Sequence, residues 1–92
     1  MTPLIITDIR KSCCDKGFDL VTAIFLDNEN HNLDGLRSID EKCIVILESA
    51  TAQKESPQIG VRSGDQYIRM KLKINHGFCV GDAITFNGMN KT

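Results

Sequence analysis

The chain has 92 residues, 41% hydrophobic and 25% charged, values near the averages of soluble globular proteins, so disordered, collagen-like and membrane classes lose support. Lys and Arg number 11 against 12 Asp and Glu, for a formal net charge of -1, so no global field draws the chain onto nucleic acid or anionic lipid, although a local patch could. A single domain over residues 1–92 is expected, small enough that most apolar residues must share one core.

Leu4 to Arg10 is rich in Ile and lies between Pro3 and the cluster Ser12-Cys13-Cys14-Asp15-Lys16-Gly17. This predicts a first strand and then a turn, with Gly17 supplying a positive φ. Phe18 to Leu26 predicts a second strand, with Phe18, Leu20, Thr22, Ile24 and Leu26 on one face and Val21, Ala23 and Phe25 on the other. Apolar residues on both faces make it a central strand. Asp27 to Gly35 is turn chemistry, because Asn and Asp bond their own backbone and Gly tolerates left-handed geometry, so it is expected as an exposed loop.

The next stretch carries two signals. Ser38-Ile39-Asp40-Glu41 spells a helix capping box, and a helix from Ile39 to Lys54 would end before Ser56-Pro57. Cys43-Ile44-Val45-Ile46-Leu47 is instead a β-branched run of the buried-strand type. Consecutive β-branched residues fit a pleated sheet better and favour the strand, with Ala50 to Lys54 left for a helical turn.

Gln66 to Ile74 alternates without a fault, placing Ile68, Met70, Leu72 and Ile74 on one side and Tyr67, Arg69, Lys71 and Lys73 on the other. It predicts a half-buried strand with a basic outer face. Ile59 to Arg62 and this strand flank Ser63-Gly64-Asp65, which predicts a hairpin turning at Gly64. Asn75-His76-Gly77 marks another turn, Phe78 to Ile84 a tight loop feeding a strand, and Ala83 to Phe86 a last short strand closed by Asn87-Gly88. The expected fold is mainly β, a small antiparallel barrel or sandwich of five or six strands with at most one short helix. Closure into a barrel would remove exposed edges.

The chemistry-bearing residues form no strong motif. Cys13 or Cys14 with His76 and Cys79 offers a zinc set, but paired C-x-x-C clusters are missing and adjacent cysteines are not expected to reach one ion together. Cys43, in the most apolar run, reads as a small buried hydrophobe. Cys14 beside Lys16, or Cys79 near His76, could carry a reactive thiol, yet neither has an orienting third group. Asp27, Glu29, His31, Asn32 and Asp34 resemble a calcium loop in composition only, since Asn32 stands where an EF-hand needs Gly and Ser38 where it needs Glu. Phosphate-loop, G-x-S-x-G and H-E-x-x-H patterns are absent from the sequence. Asn90-Lys91-Thr92 matches a glycosylation sequon by chance.

Arg62, Tyr67, Arg69, Lys71 and Lys73 are the candidate binding residues, a basic row with one ring suited to phosphate contacts and base stacking. Such a row also keeps a sheet soluble, with Asp19, Glu48 and Asp65 available to neutralise it. Aromatics make up only 5% of the chain, poor equipment for stacking. The expected role is therefore non-catalytic: a binding or assembly module that works through protein contacts or self-association. It would use an exposed strand edge or the loops Asp27 to Gly35 and Ala50 to Gln58. A small nucleic-acid-binding β-barrel using the basic face of residues 66–74 is the alternative. No cofactor and no membrane partner is expected. The N-terminal stretch meets Asp8 and Arg10 before any long apolar run, so a cytoplasmic location with reduced thiols is the expectation.

Overall fold

A computed structural model describes residues 3–26, 35–54 and 58–87. Six strands, β1 (Leu4–Lys11), β2 (Phe18–Phe25), β3 (Arg37–Asp40), β4 (Ile44–Thr51), β5 (Gln66–Lys73) and β6 (Ala83–Asn87), form one sheet in the order β3-β6-β1-β2-β5-β4. All pairings are antiparallel except β3 with β6. Among the described residues the only helical piece is a 3₁₀ turn, Glu41–Cys43.

That turn explains the shape. It joins β3 to β4, which occupy opposite edges of the sheet. A flat sheet would hold six-strand edges about 24 Å apart at about 4.8 Å per strand. Three 3₁₀ residues rise only about 6 Å. The sheet must therefore curl enough to bring the end of β3 to the start of β4 at this corner, giving a six-stranded half-barrel that stops short of the expected closure. Bulges at Thr7, between Ile6 and Asp8, and at Leu47, between Ile46 and Glu48, sharpen the bend.

Register places the core on the inner face. Ile6 opposes Ala23, which opposes Ile68, while Val21 opposes Met70 and Leu4 opposes Ile84. These residues join Leu72, Ile39 and Phe86 in one buried cluster. The strand expected to be central is central: β2 lies between β1 and β5. The alternation read in residues 66–74 also holds through Leu72, with Ile68, Met70 and Leu72 fully buried. Ile74 instead follows the strand end and is exposed.

Several expectations are corrected. The capping-box signal yields no helix, because Asp40 accepts the Lys42 N–H at 3.0 Å and starts one 3₁₀ turn instead. Ala50 and Thr51 stay in β4 rather than turning helical. The run Ile44 to Leu47 is a strand as expected but not a buried one. It forms the sheet edge, with Val45, Ile46 and Leu47 at 48%, 43% and 45% exposure, and Cys43 is exposed rather than buried. The hairpin partner of β5 is β4, not Ile59 to Arg62. Gly64 does take a positive φ of 91°. Its N–H donates to the Ala52 carbonyl at 3.0 Å, so the ladder continues from Thr51, and the described residues 58–63 lie in the connection between the two strands. Gly17 has no positive φ; Asp15 holds that turn by accepting the Gly17 N–H at 3.2 Å. Residues 27–34 of the Asp27 to Gly35 loop, with all five of the calcium-like residues, lie outside the described residues, as do residues 55–57 of the Ala50 to Gln58 loop, Gly88 and the sequon.

Candidate functional site

Two surfaces carry the candidate residues: the free edge of β4 and the outer face of β5. Among the described residues β4 has one strand neighbour, β5, so its other side presents backbone hydrogen-bonding groups that no described strand takes up. Ile44 and Ile46 oppose Leu72 and Met70 on the inner face, whereas Val45 opposes Lys71 on the outer face. The edge thus shows apolar side chains on both of its faces.

On the outer face of β5 the register sets Tyr67 beside Ile24 and Ala50, Arg69 beside Thr22 and Glu48, and Lys71 beside Leu20 and Val45. Carboxylates answer two of the cations, one from β4 and one from the bend between β1 and β2. Arg69 Nη1 lies 3.4 Å from Glu48 Oε2, and Lys71 Nζ lies 3.9 Å from Asp15 Oδ2. Lys73 ends the strand exposed. Tyr67, expected to face solvent, is only 8% exposed. Arg62 sits in the β4–β5 loop, off the sheet, where its N–H donates to Asp65 Oδ2 at 2.8 Å. Of the three acids expected to neutralise the row, Glu48 does so, Asp65 caps a turn, and Asp19 is engaged elsewhere.

The loop between β4 and β5 returns across the outer face. Gln58 and Ile59 meet Asp8, Arg10, Leu20, Thr22, Leu47 and Arg69 around a cleft of about 100 Å³. That is well below the several hundred Å³ of sites that enclose small molecules. A second, open depression of about 300 Å³ lies among Lys11, Ser12, Lys16, Phe18, Asp19 and Ile74.

The β5–β6 connection forms a polar and aromatic cluster that the sequence did not disclose. His76 Nε2 lies 2.8 Å from Asp19 Oδ2, and its Nδ1 accepts the Phe78 N–H at 3.0 Å. This pair of bonds assigns the ring proton to Nε2, which donates to the carboxylate. Arg37 lies over the Phe78 ring at 4.2 Å and donates to the Gly77 carbonyl at 2.9 Å. It also pairs with Asp82 at 3.4 Å. Asp82 in turn accepts the Cys79 N–H at 2.8 Å. Every group has a partner within the cluster, so its evident work is to fasten the connection to β2 and β3. The only hint in the sequence was Asn75-His76-Gly77, whose Asn75 and Gly77 take positive φ as turn residues do.

Among the described residues no three His, Cys, Asp or Glu side chains gather as metal ligands. The zinc set of Cys13 or Cys14, His76 and Cys79 is thus not brought together, and His76 is committed to Asp19. No described helix is long and apolar enough to cross a membrane. The fold defines a small β half-barrel domain with an open edge. Compared with known protein families, curated proteins and solved structures, the chain gives no match.

Proposed function

We propose that this domain is a non-catalytic binding or assembly module that joins a protein partner, or a second copy of itself, along the β4 edge. One observation carries the reading. An eight-residue edge strand leaves Val45, Ile46 and Leu47 nearly half exposed in succession. Strand addition draws on both features of such an edge: the backbone groups supply hydrogen bonds, and the side chains supply apolar contact. The nucleic-acid alternative finds less support, since Glu48 and Asp15 lie against Arg69 and Lys71 and the Tyr67 ring is covered.

The test compares the wild-type chain with the double variant Val45→Lys/Leu47→Lys, which places charge on the edge as natural edge strands do. Both positions are exposed, so the variant should fold with little loss of stability. Sedimentation of the purified chain and its use as bait in lysate should show self-association or a retained partner for wild type, and neither for the variant. A wild-type chain that stays monomeric and retains nothing, or a variant that associates equally well, sinks the proposal. Titration with labelled single-stranded oligonucleotide at low salt serves as the contrast, and tight binding there would favour the alternative.

A further inference from the structure

Adjacent residues in an extended strand point to opposite faces, which is why neighbouring cysteines are poor partners for one ligand. Cys13 and Cys14 escape that rule because they occupy the bend between β1 and β2, where their Sγ atoms lie 3.5 Å apart. Both thiols are free and exposed.

The bend is held on either side of the pair. Ser12 donates its N–H to the Phe18 carbonyl at 3.4 Å, and its Oγ accepts the Asp15 N–H at 3.1 Å. Phe18 donates back to the Asp15 carbonyl at 3.2 Å, and Asp15 is tied to β5 through Lys71. A ligand would therefore meet two cysteines on a backbone that is already held, with only their side-chain torsions left to order. With a sulfur-to-centre bond of about 2.3 Å, sulfurs 3.5 Å apart subtend an angle of about 100° at a shared centre. That angle lies between a right angle and the tetrahedral value, and it suits a soft centre of low coordination number.

We infer that the Cys13–Cys14 bend is a bidentate dithiol site for soft, thiol-seeking centres of the trivalent arsenic type. The two thiols give up their protons, the arsenical oxygen leaves with them as water, and two sulfur–arsenic bonds replace the arsenic–oxygen bond. Arsenic stays trivalent, so no oxidant or reductant is involved. Cys43 and Cys79 are also exposed, but they lie in different connections and serve as internal controls.

The probe is phenylarsine oxide, added to the reduced full chain, followed by excess glutathione and intact mass measurement. Wild type and the double variant Cys43→Ser/Cys79→Ser should each keep one phenylarsenic group. Cys13→Ser and Cys14→Ser should release it at a monothiol concentration about 100-fold lower or less, since they lose the second, intramolecular bond. Loss of the adduct from wild type under glutathione, equal retention by Cys13→Ser or Cys14→Ser, or its disappearance in the Cys43→Ser/Cys79→Ser variant overturns the inference.

Discussion

Gly60 is where a single methyl group should do the most damage outside the core. Its φ is 75°, and a Cβ built there would stand 2.7 Å from the Cβ of Thr7. Thr7 cannot swing aside, because the atom in contact is anchored directly to the backbone of a strand. Thr7 is the bulged residue of β1, and its Oγ1 donates to the Thr22 carbonyl at 3.3 Å. Gly60→Ala should therefore incur two costs: about 1–2 kcal/mol for left-handed geometry and about 1–3 kcal/mol for overpacking. The sum, about 2–5 kcal/mol, is a large share of the roughly 5–14 kcal/mol expected for a domain this size. Gly64→Ala isolates the first cost, since Gly64 has a φ of 91° and nothing within 4 Å of its Cβ position. Thermal unfolding followed by circular dichroism should show a Tm lower by about 10–30 °C for Gly60→Ala and by about 5–15 °C for Gly64→Ala. If Gly60→Ala lost no more than Gly64→Ala, the loop would not rest on Thr7, and the covering of the outer face would need another explanation.

Two further outcomes follow from the packing. Met70 and Ile46 oppose each other in register, yet Met70 is fully buried and Ile46 is 43% exposed; Met70→Ala should lose about 2–5 kcal/mol in urea unfolding and Ile46→Ala less than about 1 kcal/mol. His76→Ala removes the bond to Asp19 and strips the Phe78 N–H of its acceptor, so it should cost about 1–3 kcal/mol and speed amide exchange at Phe78, measurable by NMR.

What the sequence disclosed and what it hid divide along one line. The alternation in residues 66–74 could be read because β5 lies inside the sheet, where one face meets the core and the other holds charges above it. Ile44 to Leu47 could be read as a strand from its side chains, but its place at the edge could not. Burial there depends on which strands pair, and among the described residues β4 pairs only with β5, which begins more than ten residues further along the chain. The hairpin error has the same source. The positive φ at Gly64 was legible as local chemistry. The strand entering that turn was chosen by long-range competition, in which Ala52 pairs with Asp65 at 2.7 Å while Arg62 is held by the Asp65 carboxylate. The candidate site divides likewise: the cations of β5 were visible in the sequence, whereas their carboxylate partners and the burial of Tyr67 were set by register.

An exposed apolar edge is a hazard as well as an opportunity, because flat edges template unlimited pairing. β4 carries a guard in Leu47, the extra residue between Ile46, which opposes Met70, and Glu48, which opposes Arg69. Met70 and Arg69 are neighbours, so deleting Leu47 would make the ladder regular without shifting any other residue to the wrong face. The variant should keep the sheet, with an unchanged far-ultraviolet spectrum, while its edge loses the local twist of the bulge. Thioflavin fluorescence and light scattering should then rise at protein concentrations where wild type stays clear, although the variant has one fewer exposed apolar side chain. That opposition makes the result decisive. If the deletion lowered aggregation, exposed hydrophobic area alone would govern the edge; if it raised aggregation, the bulge is what confines β4 to selective contacts.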